Sequence, residues 1–217
     1  MRDLLLLRHG EVTSHRGDVP VTEAGLATAA DVGGRLAAAP GGDRLLVLDG
    51  GTRRTRETAR AIARGAAAEG ADVVAGGTAQ GLRNPDLYLA GVRVDMVADL
   101  ASYAAQVPGL AADDVGAVDF FAHWVTSADR IGWWVAHPDP PGERASDVVR
   151  RVACFAASFA DHPEESLTIG VTHSPVLRAL AAHATGEDPG EPVWLAGIRA
   201  AVADDRSVTF TVLGEAP

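Results

Sequence analysis

The stretch LLLLRHG, residues 4–10, decides the expected fold, because a short apolar run here ends abruptly in polar and charged residues. Four consecutive leucines are too few for an ordinary helix and are typical of a strand that is buried on both faces. The run LTIGV, residues 167–171, has the same character and leads into Thr172 and His173. Both runs are therefore predicted to be inner strands of a sheet, with polar side chains at their carboxyl ends.

Helices are predicted between these and two further strands. Residues 22–38 form the first helix, with Thr22 as its cap, and residues 52–69 form the second, which Gly70 ends. Residues 44–48 and 71–75 are the further strands. Strands that alternate with helices at this spacing predict an α/β domain, a three-layer sandwich around a mostly parallel central sheet.

The regular pattern weakens over residues 77–162, which are rich in proline and aromatic side chains. We expect one domain over residues 1–217, with a core of 1–76 and 163–217. A helical or irregular insertion, or cap, over about 77–162 is expected to cover the edge of the sheet that holds the active site. Further helices are expected over 144–160 and 176–184. A terminal hairpin is expected over 198–213.

Composition and charge exclude several classes of protein. The 217 residues are 47% hydrophobic and 22% charged, as in an ordinary globular protein. A net charge of −10 argues against a nucleic-acid partner, and all 19 basic residues are arginine, which excludes lysine chemistry. No apolar run is long enough to span a bilayer, and Cys154 is the single cysteine. We therefore expect a cytoplasmic protein with no membrane partner.

Polar residues follow three of the predicted strands. Arg8 and His9 follow the first, Arg53 and Arg54 open the second helix, and His173 follows the late strand. Ligands of open α/β sheets bind outside the carboxyl ends of the strands, so these side chains are expected to converge. Guanidinium groups match phosphate oxygens in geometry and charge, which predicts a cationic pocket for a phosphoryl group.

Four segments in this order resemble the histidine phosphatase superfamily, also called the phosphoglycerate mutase-like family, and specifically its phosphatase branch. They are RHGE at residues 8–11, TEAG at 22–25, RTRETA at 54–59 and VTH at 171–173. The resemblance implies that His9 is the catalytic nucleophile and becomes transiently phosphorylated. It also implies that Arg8, Arg54 and His173 bind the phosphoryl oxygens, without a cofactor or a metal.

The chemistry of these side chains agrees with that implication. An imidazole has an ordinary pKa near 6.5, so at neutral pH it offers a lone pair without help from a second base. The charge that spreads over the phosphoryl oxygens during transfer needs fixed cations, which the arginines would supply.

The proton donor for the leaving group is less directly indicated. Family members of the mutase type supply the proton from a glutamate in the segment after the third strand. The corresponding residues 81–88 of this chain, GLRNPDLY, contain no glutamate. The acid-phosphatase branch has an aspartate directly after the late histidine, where this chain has Ser174. Asp86 is the preferred catalytic acid, although it could only form a turn beside Pro85. Glu143 is the second choice, although it could simply begin a helix.

The loop after the nucleophile is shorter than in many relatives and lacks their Trp-Asn pair. We expect His15 or Arg16 to replace the missing side-chain amide at the phosphate, and Glu11 to orient the loop. The adjacent Trp133 and Trp134 suggest a wall for a sugar or another partly apolar leaving group.

The sequence thus predicts a phosphomonoesterase that hydrolyses a small phosphorylated metabolite through phosphohistidine at His9. One alternative is a phosphoryl transferase of the phosphoglycerate mutase type. Another is a silent homologue that binds phosphorylated ligands or a protein. The expected partner is a small-molecule phosphoester, and the protein is expected to be a monomer or a homodimer.

Overall fold

The apolar runs form the inner strands of a six-stranded sheet. A computed structural model describes residues 2–14, 17–161 and 167–214. The strands are β1 (Arg2–Arg8), β2 (Arg44–Asp49), β3 (Asp72–Thr78), β4 (Leu87–Leu89), β5 (Val92–Val94), β6 (Leu167–Thr172), β7 (Gly197–Val202) and β8 (Val208–Leu213). The α-helices are α1 (Glu23–Ala38), α2 (Arg53–Ala68), α3 (Leu100–Ala104), α4 (Ala112–Gly116), α5 (Asp119–Thr126), α6 (Arg130–Ala136), α7 (Ala145–Ala157) and α8 (Ser174–Thr185).

The strand order in the main sheet is β3-β2-β6-β1-β7-β8. The first four of these strands are parallel, and β7 and β8 add an antiparallel edge. The predicted α/β fold with a mainly parallel sheet and the terminal hairpin are both confirmed. In β1 and β6, Arg8 pairs with Thr172, so the residues that follow both strands leave the sheet at the same level.

Strand β1 is buried on both faces, as its leucines indicated. Leu4 and Leu6 pack into a core with α7 and α8, and Leu5 and Leu7 pack into a second core with α1 and α2. Because successive side chains of a strand point to opposite faces, one apolar run serves both cores. The sheet with helices on each face makes the predicted three layers.

Helix boundaries follow the capping residues. Thr22 accepts a hydrogen bond from the Gly25 amide at the start of α1, and Thr52 caps α2 in the same way. Helix α8 begins two residues before the predicted position 176, because Pro175 is well tolerated in the first turn. The helix predicted over 144–160 is α7 followed by a 3-10 turn at Ser158–Asp161.

The segment between β3 and α7 contains the β4-β5 hairpin and helices α3 to α6. β3 runs through Thr78, and α7 packs against α8 and β7 on the sheet. The division into a core and an insertion over 77–162 therefore stays a prediction. Within this segment, the short elements before α7 are the ones that reach the carboxyl ends of the parallel strands. No helix within the described ranges is both long and apolar enough to cross a membrane.

Helices α1 and α2 approach each other closely at two glycines. A Cβ atom at Gly33 would lie 2.0 Å from the backbone oxygen of Ile62, and one at Gly65 would lie 1.9 Å from that of Ala30. At the neighbouring Gly34, the nearest atom would be the Glu69 Cγ at 3.5 Å, an ordinary contact. Gly33 is therefore required by packing, whereas Gly34 is not.

We expect Gly33→Ala and Gly34→Ala to change stability in opposite directions. The first should lower the free energy of unfolding by about 1–3 kcal/mol, because α1 must move away from α2. The second should raise it by up to about 1 kcal/mol, because alanine favours the helix and restricts the unfolded chain. Urea unfolding of both variants measures the two values. Equal changes would contradict the close contact at Gly33.

Candidate active site

A cavity of about 490 Å³ opens at the carboxyl ends of β1 and β6. This volume lies in the usual range for small-molecule sites, about 300–1,000 Å³. Its wall combines charged groups from the sheet and α8 with apolar groups from the segment before α7. The lining residues are Arg8, His9, Arg54, Asn84, Met96, Val97, Ala98, Trp124, Ala128, Asp129, Arg130, Ile131, His173, Ser174, Pro175, Arg178 and Glu191.

His9 is buried directly after β1, and its backbone amide donates to the Thr172 carbonyl at 3.0 Å. The imidazole Nδ1 lies 2.8 Å from the Gly10 carbonyl. A carbonyl only accepts hydrogen bonds, so Nδ1 carries the proton and the lone pair is on Nε2. The Gly10 amide donates to Thr58 Oγ1 at 2.9 Å, which ties this loop to α2. His9 is thus held in the tautomer that a nucleophile at Nε2 requires.

Arg8 is buried beside His9 and is fixed on three sides. Its guanidinium carbon lies 3.7 Å from the centre of the Trp194 ring, and Nη1 donates to the Pro192 carbonyl. Nη2 lies 2.5 Å from Oε1 of Glu191. Burial lowers the pKa of Arg8 to about 10, with a further decrease from the charge of Arg54 and an opposing effect of Glu191. The group remains a cation at neutral pH.

Arg54 occupies the first turn of α2, where Thr58 Oγ1 donates to its carbonyl at 2.8 Å. Its buried Nε has no hydrogen-bond partner among the residues that the structure describes. Burial lowers the pKa of Arg54, and the charges of Asp18 and Asp95 act in the opposite direction. A buried guanidinium without a bound acceptor is suited to receive an anion.

His173 lies at the start of α8, and its ring centre is 5.7 Å from that of His9. Burial and the positive groups at Arg54, His9 and Arg8 hold the pKa of His173 well below its ordinary value. The Gly50 carbonyl raises that pKa only slightly, and neither ring nitrogen makes a hydrogen bond of normal geometry to a described group. His173 is therefore neutral at physiological pH and can donate one N–H to an oxygen in the cavity.

A second charged cluster lies on the cavity wall beside Ser174. Buried Arg178 of α8 donates to both oxygens of Asp129, at 2.7 and 2.6 Å, and also pairs with Asp188. The hydrogen bonds from Arg178 lower the pKa of Asp129 to about 2 against the effect of burial, so this carboxylate is ionised at neutral pH. Ser174 donates to Glu191 Oε2 at 2.5 Å. These contacts join α8 to the start of α6.

Asp86, the preferred acid from the sequence, is not among the residues that line the cavity. Arg83 and Arg93 both donate to its carboxylate. Burial raises its pKa, but these hydrogen bonds and charges outweigh burial, so that the pKa of Asp86 falls below its ordinary value. An ionised carboxylate held by two arginines is a poor proton donor, so the geometry does not favour the catalytic role of Asp86.

Glu143 and Glu11 also lie outside the cavity wall. Glu143 accepts from the Asp86 amide at 2.8 Å and from Arg151 Nε at 2.8 Å, so it joins α7 to the segment before β4. Glu11 accepts from Thr22 Oγ1 at 3.1 Å, and its expected role in orienting the loop stays a prediction. His15 and Arg16 lie outside the described residues, so their expected contacts with phosphate remain predictions.

Sequence reasoning missed several cavity residues and placed the aromatic wall wrongly. Asn84, from the segment of residues 81–88 that contains no glutamate, lines the cavity. Trp134 is fully buried and donates to the Glu143 carbonyl, whereas Trp124 reaches the cavity. Arg178 could have been recognised from the sequence, because it is the single charged residue in the apolar stretch 176–182, shortly after His173.

Comparison with known proteins agrees with this geometry. The model of the histidine phosphatase superfamily, branch 1, matches residues 4–73 and 120–203. The chain therefore belongs to the histidine phosphatase superfamily, and membership supports a phosphatase enzyme, as the sequence motifs indicated. No curated protein is significantly similar to the chain in sequence.

Solved structures share the fold over nearly the whole chain. The mycobacterial glucosyl-3-phosphoglycerate phosphatase has a TM-score of 0.62 at 20% identity, with all of both chains covered. YhfR from Bacillus stearothermophilus has a TM-score of 0.61 at 22% identity, covering 100% of this chain and 98% of its own. A phosphoglycerate mutase from Bacillus anthracis has a TM-score of 0.60 at 16% identity, covering 99% and 93%. At these identities the likeness concerns the fold alone.

We expect His173 to make stability depend on pH in mildly acidic solution. The lowered pKa of the folded state means that the unfolded chain binds a proton below about pH 6.5 that the folded protein does not. Stability should therefore rise with pH up to about 6.5, by at most about 1.4 kcal/mol per pH unit from this group. Urea unfolding between pH 5 and 7 should show a shallower slope for His173→Gln, and the wild-type slope for exposed His183→Gln. Equal slopes for wild type and His173→Gln would contradict the neutral, buried ring.

We expect Asp86→Asn to act on stability more than on proton transfer. Loss of the carboxylate leaves Arg83 and Arg93 without their shared partner and should cost about 1–3 kcal/mol. Activity should fall by the same factor for p-nitrophenyl phosphate and for an alkyl phosphate, whose leaving group needs a proton far more. The surface variant Asp139→Asn should change neither property appreciably. A loss confined to the alkyl ester would restore Asp86 as the acid.

Proposed function

We propose that this protein is a phosphomonoesterase that hydrolyses a small phosphorylated metabolite through a phosphohistidine at His9. The observation that carries the proposal is the tautomer of His9 beside a set of cations. The hydrogen bond from Nδ1 to Gly10 places the lone pair on Nε2, and Arg8 and Arg54 line the same cavity. This arrangement supports a nucleophile and anion-binding groups that are positioned before substrate arrives.

In the first step, Nε2 of His9 attacks phosphorus and the P–O ester bond breaks. Its electron pair goes to the leaving oxygen, which takes a proton from water. Arg8, Arg54 and neutral His173 hold the phosphoryl oxygens by hydrogen bonds during transfer. In the second step, water adds to phosphorus, the P–N bond breaks, and its electron pair returns to Nε2. The proton that this water loses neutralises the hydroxide left by the first step. Inorganic phosphate is released and the enzyme is restored.

The carboxylates that pair with the cavity arginines support hydrolysis with release of the product phosphate. Glu191 is bound to Arg8 and Asp129 to Arg178, so two of the cavity arginines already carry carboxylate partners. A phosphoryl group must displace Glu191 to use Arg8 fully, which limits how tightly the product phosphate is held. We propose no metal requirement, and among the described residues there is no group of three or more His, Cys, Asp or Glu that could hold a metal ion. The cytoplasmic location and a monomeric or dimeric state also remain predictions.

We expect His9→Ala to lower turnover of p-nitrophenyl phosphate by at least about 1,000-fold, because the covalent step loses its nucleophile. The unfolding transition should remain cooperative, and His183→Ala should keep wild-type activity. Rapid quench with a phosphate-labelled ester should give an acid-labile, base-stable label on the wild type that is absent in His9→Ala.

The same labelling experiment separates the three functions. Release of inorganic phosphate after labelling indicates a phosphatase. A stable label that is passed to an added alcohol or sugar acceptor indicates a mutase-type transferase. A protein that binds phosphate but is never labelled would be a binding homologue, and the proposal would be wrong.

A further inference from the structure

Arg130 is a cavity residue that the proposed chemistry does not use. It follows Asp129 at the start of α6 and lines the same cavity as His9, although the two residues come from different layers of the fold. Its Nη2 donates to the Val125 carbonyl at 3.3 Å, and its buried Nε has no hydrogen-bond partner within the described part of the chain. Nor does it form an ion pair with any carboxylate in residues 2–14, 17–161 or 167–214.

The neighbouring carboxylates are already occupied. Both oxygens of Asp129 accept from Arg178, which also binds Asp188, and Glu191 binds Arg8 and Ser174. Arg130 therefore differs from Arg8 and Arg178, which have acidic partners within the protein. A partly buried guanidinium costs free energy unless an acceptor satisfies it, so an anion from outside the chain is the natural partner.

The position of Arg130 is fixed by its surroundings. The preceding Asp129 accepts from the Gly132 amide at 3.0 Å and is clamped to the core by Arg178. Ile131, on the other side, lines the cavity as well. Asp129, before Arg130, is thus held against α8, and Ile131, after it, lines the cavity, so the Arg130 backbone stays at the cavity wall.

We propose that the substrate carries a second anionic group, a carboxylate or a second phosphoryl group, and that Arg130 binds it while His9 attacks the first. The cavity of about 490 Å³ is large enough for the whole molecule and not only for the transferred group. Trp124, Val97 and Ile131 line the space with apolar side chains, so the carbon skeleton between the two anions packs against them. The inference rests on the proposed phosphatase function and specifies its substrate class.

Two matched pairs of esters test the proposal. Glycerol 3-phosphate and 3-phosphoglycerate differ at one end by a hydroxymethyl group or a carboxylate. Propane-1,3-diol monophosphate and bisphosphate differ by a second phosphoryl group. For each pair, the ratio of kcat/KM for the doubly anionic ester to that for the singly anionic one should be well above one in the wild type. Whichever pair shows the larger ratio identifies the second anion.

Arg130→Met should lower that ratio by about 10- to 100-fold, the usual effect of losing a charge-assisted hydrogen bond. Arg130→Lys should keep part of it, because the charge remains but the planar fork does not. The control Arg150→Met removes an exposed arginine of α7 and should leave the ratio at the wild-type value. Dissociation constants of the same esters, measured by calorimetry on His9→Ala and on His9→Ala with Arg130→Met, should show the same ratio without turnover.

The possible failures are distinguishable. If phosphate is released and His9 is labelled, but Arg130→Met lowers kcat/KM equally for both members of each pair, the second-anion site is wrong while the phosphatase stands. If His9 is never labelled, the phosphatase is wrong, and the calorimetric ratio alone decides the second-anion site. A ratio near one in the wild type by both measurements would overturn the inference.

Discussion

The parallel pairing of β1 with β6 is the constraint on which the site depends. Arg8 lies opposite Thr172 in this register, and the His9 amide donates to the Thr172 carbonyl at 3.0 Å. In this register Leu5 and Leu7 of β1 pack in the same core as Ile169 and Val171 of β6. The packing that stabilises the sheet therefore also brings His9 and His173 to the same edge.

The electrostatics of the site are local. The chain has a net charge of −10, yet charges more than about 8 Å away are largely screened by physiological salt. Arg8, Arg54 and His9 line the same cavity, and the Trp194 ring packs against the Arg8 guanidinium. Burial first, and then these positive groups, lower the pKa of His173 and keep it neutral. An acidic surface and a cation-rich cavity are thus compatible, because the electrostatic effect of a charge falls with distance and with screening by salt.

Residues at the ends of inner strands could be predicted, because periodicity locates the strand and the fold class locates its carboxyl end. His9 and His173 are of this kind, and the resemblance to a known family singled out Arg54 at the start of the second helix. Asp86 shows the limit of such reasoning, since residue type and segment indicated an acid, but Arg83 and Arg93 engage its carboxylate outside the cavity. Pairings between distant side chains depend on packing that no local pattern encodes.

The cavity is built from two kinds of segment. Some of its residues come from the ends of strands in the main sheet, and others come from short elements outside that sheet. The match to the family includes residues 4–73 and 120–203 but not 74–119, which supply Asn84, Met96 and Val97 to the cavity. Arg8 ends β1 and Arg54 follows β2, so the sheet positions both cations, whereas much of the apolar cavity wall comes from short elements outside the main sheet. Arg178 connects the two parts, because it is buried in α8 and holds Asp129 at the start of α6. The position of the part of the cavity wall at the start of α6 is therefore set from the core.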